Sequence, residues 1–220
     1  MKISRVFSTI DTHTGGEPTR TIIGGLPYIP GKTIVEKMHY LKENMDWVRT
    51  SLMFEPRGHS VMSGVILTEP TTPEADIGVI FIETGGYLPM CGHDTIGVST
   101  ALVEAGIVKV EEPFTYISLD TPAGLTRVKV HVENGKAKSV TFRNIPSFVF
   151  AEDVEVTVPG FGRIKMDVAY GGNVYAILPA EAVGLKILPE NASEIIQKGK
   201  LVRDAVNKQV NIQHPEKPFI

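Results

Sequence analysis

The feature that most constrains the fold is one strongly amphipathic segment, residues 33–53, in a chain that is otherwise rich in strand-like patterns. Thr33 followed by Glu36 resembles a capping box, which often begins a helix. Apolar side chains then recur at spacings of three and four, which places them on one face of a helix. They are Ile34, Met38, Leu41, Met45, Val48 and Leu52. The segment predicts a single helix over 33–53 with one buried face.

Two further helices are predicted. One follows Cys91 and ends near Gly106, a residue suited to a helix C-terminus. The other covers 190–210, and its inward side chains are predicted to be Ile195, Ile196, Leu201, Val202 and Val206.

The remaining segments alternate or are continuously apolar, as strands do, and the chain is β-rich from Glu112 onward. "ENGK" at 133–136 is typical of a hairpin turn. The end, "NIQHPEKPFI", resembles the beginning of a further strand. Strands around single long helices, repeated once, predict an α+β fold of two lobes. We place the lobes at residues 1–120 and 121–220.

Composition excludes several classes of protein. A net charge of −3 gives no basic surface for nucleic acid, so we expect no nucleic-acid partner. The N-terminal residues lack the apolar stretch of a secretory signal, and no apolar run is long enough to cross a membrane. A single cysteine cannot form an internal disulfide and suggests the reducing cytoplasm.

That cysteine, Cys91, is predicted to lie at a helix N-terminus, where exposed N–H groups and the helix dipole stabilise a thiolate and lower its pKa. Gly92 leaves the backbone open to an anion, and His93 can donate a hydrogen bond or transfer a proton. The alternative is that Cys91 packs as a small apolar side chain. A metal site needs more ligands than Cys91 and His93, and neighbours on one helical turn point apart, which disfavours a Cys–His pair.

"MCGHDTIG" around Cys91 strongly resembles the first cysteine motif of the proline racemase family, which includes 4-hydroxyproline epimerases and trans-3-hydroxyproline dehydratases. "IDTHTGGEPTR", "EPRGH", "DTPAGL", "AYGGNVYAI" and "IQHPE" resemble other family motifs in family order, so the resemblance covers the whole chain. It implies a fold similar to diaminopimelate epimerase, with two lobes that are each a curved mixed β-sheet around a central helix.

The resemblance also implies the chemistry. Two cysteines on opposite faces of the substrate invert the α-carbon of proline or 4-hydroxyproline, one removing a proton as thiolate and the other delivering one as thiol. No pyridoxal phosphate, other cofactor or metal is implied. The substrate is the expected partner, and a homodimer is compatible with the family.

Individual residues carry over as follows. Cys91 matches the first catalytic cysteine, and the Gly92 and His93 amides match groups that hold the substrate carboxylate. The His93 side chain matches a group near the substrate nitrogen, and Leu88 lines the apolar side of the ring pocket. A cysteine at position 91, where dehydratases carry Ser or Thr, favours racemase or epimerase chemistry.

Two residues of the expected substrate site depart from the family pattern. The motif usually continues with Gly or Ala where this chain has Asp94. We interpret Asp94 as an acid favoured by the helix dipole, and its charge is expected to raise the Cys91 pKa. Ser63 stands where proline-selective members often carry Phe. The smaller side chain either leaves room for a ring hydroxyl or packs in a roomier proline pocket.

The largest departure is that no second cysteine motif is present in these 220 residues. We therefore expect an incomplete second lobe. The alternatives are an inactive truncated or divergent fragment with a binding or structural role, a trans-3-hydroxyproline dehydratase, and a half-enzyme that obtains its second cysteine from another polypeptide.

Several other polar residues near these motifs have the chemistry of catalytic groups. Because buried charges are usually paired, we interpret them instead as groups that brace the loops. They are Asp11, His13, Glu17, Arg20, Glu55, Arg57 and His59.

Overall fold

The structure is a computed structural model that describes residues 3–219. It divides into two compact units, with unit 1 ending at Ile145 and unit 2 beginning at Pro146. The sequence placed this boundary at 120/121. The difference arises because the three strands between 114 and 143 continue the sheet of unit 1 instead of starting a new one.

Unit 1 is built on a mixed eight-stranded sheet in the order β1-β2-β3-β4-β6-β7-β8, with the short β5 paired to β4. The β2–β3 and β4–β6 pairs are parallel and the others are antiparallel. The strands are β1 (Ser8–Thr14), β2 (Glu17–Gly24), β3 (Ser63–Thr68), β4 (Ile77–Glu83), β5 (Tyr87–Leu88), β6 (Phe114–Thr121), β7 (Gly124–Glu133) and β8 (Lys136–Arg143).

The predicted helix over 33–53 is two helices, α1 (Ile34–Asn44) and α2 (Trp47–Met53). Met45 breaks the helix with φ −136° and ψ 24°, although its side chain is buried with the rest of the apolar stripe. The predicted start is confirmed, since the Glu36 N–H donates to Thr33 Oγ1 at 3.2 Å. The apolar periodicity correctly predicted which side chains are buried. Burial of one face does not require the helix to be continuous.

The third helix, α3 (Gly92–Glu104), is the centre of unit 1. It contacts β1 and β8, which lie at opposite edges of the sheet, as well as β2, β3 and β7. One helix can contact both edges only if the sheet curves around it. Val98 and Leu102 are fully buried, as expected for a helix that is apolar on most sides. The predicted curved sheet around a central helix is therefore confirmed for unit 1.

The predicted ends of α3 and of the β7–β8 hairpin are confirmed. Gly106 has φ +66°, and Ile107 N–H donates to Leu102 O at 2.9 Å, as in a Schellman motif. Asn134 and Gly135 both have positive φ, 53° and 70°, which a type I′ hairpin turn requires.

Unit 2 contains a three-stranded antiparallel sheet in the order β11-β10-β9 and one helix against it. The elements are β9 (Phe148–Val158), β10 (Gly162–Tyr170), β11 (Val174–Ile177) and α4 (Ala192–Gln209), with two 3-10 turns, Ala180–Val183 and Pro189–Asn191. In these residues the sheet is antiparallel, not mixed, and it covers one side of the helix. Val202 and Ala205 are buried there.

Two sequence predictions for unit 2 are wrong. Ile196 and Leu201 were predicted to point inward, but they are 52% and 41% exposed because the sheet covers only the side of α4 that carries Val202. Residues 211–219 form no strand, while the final residue lies outside the described part. None of the helices in residues 3–219 combines the length and apolar character needed to cross a bilayer.

Candidate active site

Cys91 is the residue that immediately precedes α3. Its backbone is extended, with φ −142° and ψ 120°, while its carbonyl accepts the first helical hydrogen bond from Thr95 N–H at 3.1 Å. Thr95 Oγ1 donates to the same carbonyl at 2.7 Å. The predicted position at a helix N-terminus is confirmed, and the backbone there is held by two bonds.

A cavity of about 250 Å³ opens beside Cys91 in unit 1. It brings together four of the residues that the sequence assigned to the catalytic and substrate site, Cys91, His93, Leu88 and Ser63. The other polar residues in its wall are Glu17, Ser60, Glu83 and Thr84. The cavity is small, partly apolar and rich in hydrogen-bonding groups, as binding sites for small polar molecules are.

Cys91 and His93 form a pair, which the sequence analysis disfavoured. The Cys91 Sγ and His93 Nδ1 atoms are 3.3 Å apart. The objection assumed that both residues lie on one helical turn. Cys91 instead has an extended backbone as the capping residue, so its side chain folds back over the second helical position.

The predicted lowering of the Cys91 pKa is wrong in this structure. Burial raises the pKa of the Cys91 thiol to about 12, and the nearby Asp94 charge adds to the rise. The backbone N–H groups of Asp94 and His93 oppose this rise. The helix terminus does favour the thiolate, as expected, yet desolvation and a neighbouring carboxylate outweigh it. The predicted effect of Asp94 is confirmed.

His93 is held from the side opposite Cys91. Its Nε2 lies 3.2 Å from Asp94 Oδ1 and 3.3 Å from the carbonyl oxygen of Pro18. The hydrogen bond with Asp94 raises the pKa of His93, against the effect of partial burial. The His93 backbone is fixed as well, since Thr14 Oγ1 donates to its carbonyl at 3.1 Å.

Asp94 was placed among substrate-binding residues, but it lies beneath the cavity and not in its wall. Its side chain is fully buried, with 0% exposure. Thr19 Oγ1 donates to Oδ1 at 2.7 Å, and Ser63 Oγ donates to Oδ2 at 2.6 Å. Its oxygens are therefore occupied by protein donors, which is how a buried carboxylate is normally stabilised.

The remaining residues of the expected substrate site differ in their position relative to the cavity. They are Ser63, Gly92 and Leu88. Ser63 is in its wall, but its hydroxyl hydrogen points to Asp94. Gly92 is exposed at the first position of α3, and a Cβ there would lie 3.5 Å from the Phe142 ring, an ordinary contact. Leu88, on β5, supplies part of the apolar wall.

The family model described as proline racemase matches residues 9–220. The chain belongs to the proline racemase family. The predicted fold class is confirmed as well, because solved structures of this family superimpose on 98% to 100% of the chain.

Three relatives in this family are representative. A 4-hydroxyproline 2-epimerase of Streptosporangium roseum is 54% identical over 98% of the chain. A proline racemase of Clostridioides difficile is 48% identical over 98% of the chain. The crystal structure of a hydroxyproline epimerase from Agrobacterium vitis with bound trans-4-hydroxy-L-proline is 33% identical, with a TM-score of 0.95 over 100% of the chain. The chain spans 65%, 64% and 65% of these three proteins, respectively.

The sequence analysis gave one acidic residue of the cavity wall a different role and missed another. Glu17 was interpreted as a bracing group, but its exposed side chain lines the cavity and its charge raises the pKa of His93. Glu83 ends β4 and was not singled out. Strand pairing brings it beside Ser63, its register partner on β3, and the sequence carries no local signal for that pairing.

The bracing interpretation is supported for other residues. Arg20 forms an ion pair with Asp11 at 2.7 Å and also donates to the carbonyls of Leu52 and Arg57. His13 Nδ1 accepts from Gly16 N–H at 3.2 Å within the β1–β2 turn. These bonds join β1 to β2 and tie β2 to the end of α2 and the segment that follows it.

Cys91, His93 and Asp94 each offer one metal-ligating atom within 4.8 Å of the others. Asp94 thus supplies a third group near the two that the sequence analysis considered. All three are already joined by hydrogen bonds, and Asp94 receives two more, so the arrangement is a connected hydrogen-bonded chain. The absence of a metal stays a prediction.

A larger cavity, about 690 Å³, lies in unit 2 between the sheet and α4. Its wall is mainly aliphatic, for example Val168, Leu185, Val202 and Val206. It lacks a nucleophile–base pair of the kind that Cys91 and His93 form, so the smaller cavity is the better candidate for chemistry.

Proposed function

We propose that this chain supplies one acid–base face of an amino-acid racemase or epimerase that acts on proline or 4-hydroxyproline without a cofactor. The observation that carries the proposal is the placement of Cys91 Sγ, next to His93, in the wall of a small cavity at the N-terminus of α3. Family membership and the names of the relatives support it.

The substrate carboxylate would bind at the first turn of α3. Backbone N–H groups there lack helical partners, and the dipole favours negative charge. Exposed Gly92 lets an anion approach the backbone without a side chain in between. The same groups would stabilise the additional negative charge that develops when the α-hydrogen is removed, since an α-C–H beside a carboxylate is a very weak acid.

Cys91 would exchange the proton. As thiolate it takes the α-hydrogen: an S–H bond forms, the C–H bond breaks, and its electron pair delocalises into the carboxylate. As thiol it donates that hydrogen in the opposite direction. Because burial and Asp94 raise the Cys91 pKa to about 12, the thiol is the resting form. Of the two acid–base groups, Cys91 is therefore the proton donor until it has transferred its proton.

The second base is proposed to be a cysteine from polypeptide outside these 220 residues. The chain contains one cysteine, and inversion requires a second acid on the opposite face of the α-carbon. A site in two parts agrees with the share of the relatives, 64% to 65%, that the chain spans.

The preferred substrate is proposed to be 4-hydroxyproline. Ser60, Glu83 and Thr84 give the cavity wall hydrogen-bonding groups that a ring hydroxyl can use and that unsubstituted proline leaves unpaired. Ser63 contributes space, since its own hydroxyl is committed to Asp94.

The test is polarimetry with L-proline and with trans-4-hydroxy-L-proline, using the 220-residue chain and the same chain continued by the unmatched part of the Clostridioides difficile relative. Inversion is expected only with the continuation, with the higher kcat/KM for the hydroxylated substrate. Cys91→Ser should abolish it. Ser99→Ala, which removes one buried side-chain oxygen on α3 outside the cavity wall, is the matched control. If Cys91→Ser still inverts the substrate, the catalytic role of Cys91 is refuted. If the 220 residues alone invert it, the proposal of a second cysteine from outside them is refuted.

A further inference from the structure

We propose that Asp94 is a positioning residue that fixes His93 as the Nε2–H tautomer, so that Nδ1 accepts the hydrogen of the Cys91 thiol. The hydrogen-bond chain itself is independent of the substrate. Its consequence for catalysis rests on the function proposed above.

The tautomer follows from the groups around Nε2. The Pro18 carbonyl oxygen, 3.3 Å away, has no hydrogen and can only accept. An ionised Asp94 carboxylate, with Oδ1 at 3.2 Å, can likewise only accept. Nε2 therefore carries the hydrogen. A neutral imidazole then has its lone pair on Nδ1, which is the atom 3.3 Å from Cys91 Sγ.

Asp94 is held so that it cannot turn away from His93. Thr19 and Ser63 donate to different oxygens of its fully buried carboxylate, which fixes the carboxylate plane. Thr19 follows Pro18 in β2, so the same strand positions both groups that face Nε2. A side chain fixed by such outer partners orients the next group in the chain, as second-layer residues do in many active sites.

The arrangement couples two protonation states. When Cys91 is a thiol, its S–H donates to the Nδ1 lone pair. When Cys91 is a thiolate, the stable partner is an imidazolium whose Nδ1–H donates to the sulfur. Conversion moves one proton from Sγ to Nδ1, leaves the electron pair on sulfur, and lets the Asp94 carboxylate balance the imidazolium charge. Asp94 thus orients His93 toward Cys91 in both protonation states.

An isosteric substitution at position 94 distinguishes the positioning role of Asp94 from a purely structural one. In Asp94→Asn the amide can present N–H to Nε2, which favours the Nδ1–H tautomer of His93. That hydrogen would then point at Cys91 Sγ, and the negative charge would be gone. Both changes favour the thiolate. The matched control is Asp120→Asn, a buried carboxylate of the same unit that accepts from Thr71 and lies outside the cavity wall.

The experiment combines long-range ¹H–¹⁵N NMR of the His93 ring with iodoacetamide alkylation at several pH values. Alkylation reports only Cys91, since the chain has no other cysteine. We expect the Nε2–H tautomer in the unmodified 220-residue chain. Asp94→Asn should change it and accelerate alkylation at pH 8 by about tenfold or more, the effect of a one-unit fall in pKa. Asp120→Asn should change neither.

An Nδ1–H tautomer in the unmodified chain would overturn the proposal without any substitution, so it stays testable even if Asp94→Asn fails to fold. An alkylation profile of folded Asp94→Asn that superimposes on the unmodified one would also overturn it. Neither readout needs substrate. A chain that shows the expected tautomer and alkylation but fails to invert proline or 4-hydroxyproline after continuation would count against the proposed function alone.

Discussion

Ser63 on β3 donates its hydroxyl hydrogen to Asp94 on α3 over 2.6 Å, and both side chains are almost completely buried. This bond joins the central helix to the sheet directly beneath Cys91. Ser63 was expected to contact the substrate, but its hydroxyl hydrogen is used in this buried bond.

Removing that donor should weaken the fold. Ser63→Ala leaves one Asp94 oxygen without its hydroxyl partner, and a buried unsatisfied acceptor costs about 1–3 kcal/mol. We expect urea denaturation to show a loss of free energy of unfolding in this range. Ser139→Ala, an exposed serine in β8 of the same sheet, serves as the control and should change stability by less than about 0.5 kcal/mol. Equal effects of the two changes would contradict the role of the buried bond.

The raised pKa of Cys91 should make stability fall at alkaline pH. The folded value is about 12 against an ordinary value of 9.0, so the unfolded chain loses this proton first. The contribution is fully present below about pH 9 and is lost as pH rises toward 12. The free energy of unfolding should therefore decline more steeply in the unmodified chain than in Cys91→Ser, by on the order of 2 kcal/mol at pH 11. Parallel pH profiles for the two proteins would show that the thiol is not perturbed.

Glu17 should contribute to the raised pKa of His93. Its carboxylate raises the pKa of His93, so Glu17→Gln is expected to lower that pKa. The ¹⁵N shifts of the His93 ring, followed through a pH titration, measure the change directly. Glu111→Gln removes another exposed carboxylate, whose partner is Lys109, and it is the control that should leave His93 unaffected. An unchanged His93 titration in Glu17→Gln would place Glu17 too far from the ring to matter.

Gly97 should tolerate no side chain, because α3 packs directly on β1 and β2 there. A Cβ at this position would lie 2.6 Å from Thr19 Oγ1 and 2.8 Å from Thr12 Oγ1. Gly97→Ala forces the helix away from the sheet and is expected to cost about 1–3 kcal/mol, measured by urea denaturation. Gly92→Ala on the same helix meets only the Phe142 ring at 3.5 Å, so its stability should be nearly unchanged. If Gly97→Ala were as stable as Gly92→Ala, the helix would be able to shift away from the sheet without cost.

Local patterns in the sequence were sufficient for the start of α1 at Thr33, the end of α3 at Gly106 and the Asn134–Gly135 turn. Each depends on neighbouring residues alone. The break at Met45 and the exposure of Ile196 were not predictable in this way. A helical pattern marks which side chains are apolar, but only packing decides whether the helix is continuous and how much of it the sheet covers.

The same division applies to the site. Sequence by itself determined that Cys91 stands at the start of a helix and that the chain resembles the proline racemase family. Tertiary structure decided the protonation chemistry. Glu17 and Glu83 reach the cavity through strand pairing, and Asp94 meets Ser63 and Thr19 only because the sheet curves around α3. The helix terminus favours the thiolate and the Asp94 charge opposes it, and both are local features that the sequence shows. Burial depends on distant segments, and it is the largest influence on the pKa of Cys91.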